Sequence, residues 1–460
     1  STTAMSSETH LVKIPGDISK NGTMKLSVFD RTHGGRSVPM LYFYPSPIPP
    51  ASLLASLSKT LTHYPFFCGR YTPPSPSSPP PFPLSVELNN SGVPVEVITS
   101  TQTLAEATSY LNSVHLKVAH ESFAPSKPVM DPDVCSPTAP ILSIKITTFK
   151  SGTGTCVSIL FQHFVSDAEG GMTFMSHWSQ IHNGCPPTPP PPPPLQDREI
   201  IVPTSTNPLP TLTEEETNMI GSFETGKPPV PGFMKDAPKF FGNFTTKYSI
   251  PSSKCNSAKA SASASISSNE KFVSTDDVIT AHVWKALCRV RCRQLEVDEG
   301  DSSVTTTLQR ACNFRKRTLP PTPDAFPGNM VASIPNTLPI ADLLSKSITE
   351  VALILRSNLA AMTALKVSAV HAHHAKLQSL GKKPFAIFPS AFAFLNSSWR
   401  CSWENAVFEG IAPSVFDQGC HVPIVTVFVN RPKKDGVDVY FTGTEDGCAH
   451  FNETLERSLT

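Results

Sequence analysis

The decapeptide QHFVSDAEGG, Gln162 to Gly171, sets an imidazole and a carboxylate four residues apart. Histidine is the side chain whose ordinary pKa lies near neutrality, so His163 is a candidate general base toward a hydroxyl or an amine. Asp167 stands just before a helical pattern, where a carboxylate can cap free backbone N–H groups and fix the turn. The chain has 14 histidines in 460 residues, and about half a chance His-x-x-x-Asp is expected at that length, so the spacing alone says little. A packed strand histidine beside a simple helix cap remains open on these ten residues. Acyl transfer is one chemistry that such a pair could serve. A base activates the acceptor, a reactive donor supplies the carbonyl, and hydrogen bonds steady the tetrahedral oxyanion. Neither a metal nor a covalent enzyme intermediate is needed.

The elements around the pair explain how it would be held. ILSIKITTFKSG and CVSILFQHF alternate across SGTGT, which predicts a hairpin that ends at His163. AEGGMTFMSHWSQIHNG then turns helical, with Met172, Met175 and Trp178 on one side. MKLSVFD (Met24 to Asp30) and VPMLYFYP (Val38 to Pro45) read as strands, and Ala51 to Pro65 as a helix. TDDVITAHVWKALCRVR (Thr275 to Arg291) is an amphipathic helix with a Ser/Thr-Asp start, and Ala341 to Met362 is another. HVPIVTVFVN and GVDVYFTG are late strands. Strands and helices interleave without the strict period of a doubly wound sheet, so a two-lobed α/β body is expected.

Bulk properties exclude several classes. The chain is long for one core, and its 38 basic and 37 acidic residues nearly cancel. No block of like charge marks a nucleic-acid or anionic-membrane surface, and no stretch is apolar enough for a bilayer span. Eleven cysteines, an odd number without Cys-x-x-Cys, predict reduced thiols and a cytoplasmic protein. STTAMSSETHLVKIPG has no signal-peptide core, and the residues before Met5 read as a vector remnant. The 47 prolines are clustered. Thr72 to Pro83 is expected to be an extended loop, and Cys185 to Pro194 a stiff polyproline stretch opening a crossover. Ser252 to Ser268, rich in Ser and Ala, reads as a solvated loop. The divisions that follow are an N-terminal lobe (1–184), a proline-rich crossover (185–235) and a C-terminal lobe (236–460).

ILSIKITTFKSGTGTCVSILFQHFVSDAEGGMTFMSHWSQIHNG resembles the His-x-x-x-Asp region of the BAHD acyltransferases, acyl-CoA-dependent enzymes of specialised metabolism. The resemblance runs from about residue 10 to about residue 445 in order. MKLSVFD is similar to the family's Leu-Ser…Asp strand, and Pro65, Gly69 and Arg70 to its Pro-x-x-x-Gly-Arg turn. STDDVITAHVWKALCRVR is similar to its second-domain helix, and ACNFRKRTLPPTPDAFPGN to its Arg-x-Arg…Phe-Gly-Asn segment. Two places depart. Ala168 stands where the family has Gly. The Asp-Phe-Gly-Trp-Gly signature appears only as Asp417-Gln418-Gly419-Cys420-His421, with Pro423.

The resemblance implies two chloramphenicol-acetyltransferase-like lobes with mixed sheets, flanking helices and an active-site tunnel between them. It implies acyl-CoA as co-substrate, no bound cofactor, no metal, and a monomer, since two lobes in one chain complete a site. His163 would be the base and Asp167 would hold the turn. Ser397 and Trp399 match the family's Thr-Ser-Trp and border the oxyanion or acceptor; Ser274 and Asn329 border the CoA path. Asp417 is expected to pair with Arg315 or Arg317.

Other candidates are weaker. His371, His373 and His374 lack a carboxylate or thiolate partner nearby in sequence and read as a solvated helix end. His282 reads as structural, Cys288 and Cys292 as core thiols, and His421 as an interface residue. Three functions stay open: O-acylation of a small alcohol or phenol, N-acylation of an amine, and a catalytically silent binding protein of the same fold.

Overall fold

Two mixed sheets organise the chain in this computed structural model, which describes residues 4–16, 22–33, 36–73, 85–116, 121–125, 136–192, 197–201, 208–224, 232–267, 272–386, 390–399, 402–419 and 421–460. The first sheet has the order Ala4–Val12, Val93–Ser100, Leu142–Thr148, Thr155–Gln162, Ser37–Tyr44 and Val415–Asp417. The predicted hairpin is its centre, with Leu142–Thr148 antiparallel to Thr155–Gln162. Thr155–Gln162 and Ser37–Tyr44 are buried at every position. Their near-continuous apolar runs reflect covered faces on both sides.

The second sheet has the order Val331–Ile334, Thr305–Asn313, Ala393–Trp399, Val425–Asn430, Gly436–Gly443, Phe244–Pro251 and His115–Leu116. Helix Thr275–Leu295 packs into its core, capped by reciprocal Ser274 and Asp277 hydrogen bonds. The sheets do not divide at one chain position. Val415–Asp417 pairs with Ser37–Tyr44 of the first sheet. His115–Leu116 in turn pairs with Phe244–Pro251 of the second. Each lobe lends an edge strand to the other.

Several local expectations are corrected. Met24 to Asp30 is not one strand: strand Thr23–Lys25 is followed by helix Val28–Thr32, because Ser27 and Asp30 form a capping box. Ser252 to Ser268 is not a loop. Ser252–Ala264 is a helix whose Cys255 and Ala262 face the second core; alanine favours helix strongly enough to need only a narrow apolar stripe. The stretch Ala341 to Met362 breaks into Ile340–Ser345 and Ile348–Ala360, restarted by a Ser347–Glu350 capping box. Most of the Thr72 to Pro83 loop, and residues 193 and 194 of the polyproline stretch, lie outside the described residues.

The histidine cluster is also corrected. His371, His373 and His374 sit inside helix Ala364–Ser379. His374 is buried against the Thr32 hydroxyl at 3.0 Å, and His371 Nε2 lies 3.0 Å from Glu199. Burial pushes His374 down to about 3, and His163, His177 and His282 to about 4. Each therefore refuses in the fold a proton that the unfolded chain accepts below its ordinary value. Stability should be unaffected above about pH 6.5 and should fall as the pH drops toward 4, each such site contributing up to about 1.4 kcal/mol per pH unit. Urea midpoints that stay constant between about pH 7 and about pH 5 would contradict this.

Candidate active site

His163 follows directly on strand Thr155–Gln162, in a turn pinned by its own N–H donating to Arg36 O at 2.9 Å. Its ring stacks on His33, with centroids 4.7 Å apart and planes inclined by 16°. His33 is in turn held by its Nε2 to Val331 O at 3.0 Å. The orienting partner of His163 is Asn329, whose Oδ1 lies 3.0 Å from His163 Nδ1.

The direction of that bond follows from the other end of the amide. Asn329 Nδ2 lies 2.9 Å from Asp30 Oδ1 and 2.7 Å from His163 O. A carboxylate and a carbonyl only accept, so the amide nitrogen must face them and the amide oxygen must face the imidazole. His163 Nδ1 therefore carries the hydrogen, and Nε2 is the lone pair available as base. Burial, then the Arg36 charge, lowers His163 to about 4. At neutral pH the ring is uncharged and needs no prior deprotonation.

Asp167 does a different job. It caps helix Ala168–His182 by accepting from Gly170 N at 3.0 Å, and it accepts from Met330 N at 3.1 Å. Arg315 binds both of its oxygens at 2.9 Å and reaches on to Phe326 O and Gly328 O. These bonds hold Asp167 below its ordinary carboxylate value despite burial. The pair thus ties the motif turn to the loop that carries Asn329. Glycine is required at 170, since a Cβ there would stand 2.5 Å from Pro327 O.

This arrangement corrects two expectations. Asn329 does not border an open path: it is fully buried and touches His163. Arg315 pairs with Asp167, not Asp417, and Arg317 donates to Leu359 O and Met362 O. Asp417 instead accepts from Tyr110 at 2.8 Å and lies 3.2 Å from His421 Nε2. Strand pairing explains the difference: Asp417 belongs to the edge of the first sheet, opposite Leu41. Cys420 lies outside the described residues.

Ser397 and Trp399 lie on the inner strand Ala393–Trp399, where Trp399 Nε1 donates to Ser397 Oγ at 3.0 Å. Ser274 is committed to its helix cap, its Oγ 2.7 Å from Asp277. His282 meets Ser458, and His421 Nδ1 meets Thr245. Cys288 is buried, its thiol pushed up to about 12. Among the described residues no cluster of His, Cys, Asp or Glu is shaped for a metal ion. The residues missed in the sequence are Asp30, His33, Arg36 and Arg198. For Asp30 a signal existed, the Ser27-x-x-Asp30 capping box.

The model of the Transferase family matches residues 4–453. The chain belongs to that family, the BAHD acyltransferases. Among curated members, vinorine synthase of Rauvolfia serpentina is 26% identical over 315 residues, covering 66% of this chain and 64% of that protein. Agmatine hydroxycinnamoyltransferase 1 of rice, Oryza sativa subsp. japonica, is 27% identical over 315 residues, covering 66% and 63%. The chain thus spans a little under two thirds of the length of these BAHD relatives. In fold it is similar to the crystal structure of vinorine synthase, with a TM-score of 0.68 at 18% identity over 98% of this chain and 96% of that one. It is also similar to Fusarium graminearum (F. graminearum) TRI101 complexed with coenzyme A and deoxynivalenol, with a TM-score of 0.72 at 19% identity over 92% and 96%. The BAHD architecture of two lobes, mixed sheets and flanking helices is the one described above.

Proposed function

We propose that the protein transfers an acyl group from a CoA thioester to the hydroxyl of a small metabolite, with His163 as the base. The observation that carries this reading is the locked tautomer: Asn329 keeps the hydrogen on Nδ1 and leaves Nε2 as a lone pair. Nε2 takes the acceptor's proton as its oxygen attacks the thioester carbonyl. The C–S bond then breaks from the tetrahedral intermediate, and the imidazolium returns its proton to the departing thiolate. The products are an ester and free CoA. Nδ1–H donates to Asn329 throughout, and that amide is polarised by Asp30, so the imidazolium is stabilised as it forms. Ser397 is proposed as an oxyanion donor, a reading that rests on its match to the family alone. A cytoplasmic location agrees with the free cysteines of the described chain, most of them buried.

The curated relatives include an N-hydroxycinnamoyltransferase from Avena sativa and a 3-O-acetyltransferase from Saccharomyces cerevisiae, so N-acylation is the second reading.

The test is thiol release from a panel of acyl-CoAs with pooled alcohols and amines. Release that depends on an alcohol supports O-acylation. Release that depends only on amines replaces it with the second reading. No thiol release with any donor, from a folded protein, would sink both in favour of a silent binding protein.

A further inference from the structure

The crossover between the lobes does more than join them. Three consecutive charges after the proline run dock on the first lobe and, through His371, on the second. Asp197 Oδ2 lies 3.2 Å from Lys25 Nζ, and Glu199 lies 3.0 Å from both Arg31 and His371. Between them Arg198 turns inward and is buried with Asp30. Its Nη1 lies 3.3 Å from Asp30 Oδ2 and donates to Val165 O at 2.7 Å, while the guanidinium lies 4.6 Å from the Phe66 ring centre. Val165 is two residues past the base, and Asp30 is the carboxylate that aims Asn329.

We propose that Arg198 is a positioning residue for the base: by pairing with Asp30 it keeps Asn329, and so the hydrogen on His163 Nδ1, in the working orientation. The proposal rests on the acyltransferase reading above. A buried carboxylate stripped of its countercharge binds a proton. Asp30 would then be able to donate to Asn329 Oδ1 instead of only accepting. The amide turned over accepts from Asp30 and presents Nδ2 to the imidazole, at the cost of setting Oδ1 against His163 O, to which Nδ2 now donates at 2.7 Å. His163 then keeps its lone pair on Nδ1 and its hydrogen on Nε2, where it cannot act as a base.

The charged and titratable groups facing Asp30 from each packed element are few. Arg198 and Glu199 come from the crossover, and Arg31 and His33 from the helix of Asp30 and its end. His371 and His374 come from the helix over Phe29, and His163 lies beyond Asn329. Arg31 is engaged with Glu199 and Leu26 O, and the histidines lowered by burial are neutral near pH 7. Arg198 is the cation hydrogen-bonded to Asp30.

The experiment compares the full chain with Arg198→Met and Arg198→Lys by thiol release, and records ring-15N histidine spectra in which His163 is assigned through His163→Ala. Arg198→Met should lose roughly ten- to a hundredfold in kcat near neutral pH with little change in KM. Because a carboxylate that has lost its countercharge regains its proton-free form as the pH rises, kcat of this variant should climb with pH where the native chain is flat, and methylguanidinium should restore part of it. Arg198→Lys keeps the charge and should keep the flat profile. A loss that is equal at all pH values, or native kcat in Arg198→Met, overturns the proposal. If the native chain itself releases no thiol, the spectra still decide. A His163 tautomer that changes in Arg198→Met supports the relay, and one that does not change overturns it, whichever reaction the protein performs.

Discussion

His163→Ala should lower kcat by roughly 10²–10⁴-fold while leaving KM within a few-fold, since the side chain acts on the proton and not on the bulk of either substrate. The native pH profile is the companion result. His163 is held at about 4 by burial and by Arg36. It is inactive only when protonated, so kcat/KM should be flat through neutrality and fall on the acid side with an inflection near that value. A limb near the ordinary histidine value of about 6.5 would mean that the free ring is more hydrated than this packing allows. A base this weak must remove the proton as the oxygen attacks, not before. That is consistent with a site whose fixed dipoles stabilise the imidazolium only as it forms.

Arg315→Met is expected to be the most destabilising single change near the site. It leaves Asp167 buried with its charge uncompensated, a situation that costs about 3–5 kcal/mol. The double change Arg315→Met with Asp167→Leu removes both charges and should regain much of that loss, although the helix keeps no side-chain cap. Urea unfolding measures both. A single variant within about 1 kcal/mol of native, or a double variant no better than the single, would show that the pair is not what joins the motif turn to the Asn329 loop. The acid dependence has a definite sign. Asp167 is held below its ordinary value by Arg315. Its contribution is complete above about pH 4 and is lost only as the pH falls through the lowered value.

The hairpin that delivers His163 was legible because alternation and a Gly-containing turn sit side by side in Leu142–Gln162. The cap at Asp167 was legible because an acid precedes a helical pattern. What stayed hidden was partner choice. Asp167 and Arg315 are 148 residues apart, and Asn329 and His163 are 166. No local pattern says which buried carboxylate meets which guanidinium. Asp417 was assigned an arginine on the strength of a motif that survives here only in part, and sheet pairing put it beside Tyr110 and His421 instead. Helix Ser252–Ala264 was missed because low complexity suggests solvent, although alanine and lysine suit a helix with one small buried stripe. Arg198 was passed over as part of a proline-rich connector. The charged triplet Asp197-Arg198-Glu199 directly after that tract was the available signal.

The exchange of edge strands limits how the molecule can breathe. Parting the lobes like a hinged book would break the ladder of Val415–Asp417 on Leu41–Phe43 and that of His115–Leu116 on Phe244–Thr245. Both ladders would have to open together, with their backbone groups left unpaired at the seam. Opening is therefore confined to loops, and cutting the connector in its proline tract would leave one interlocked particle and not two free halves.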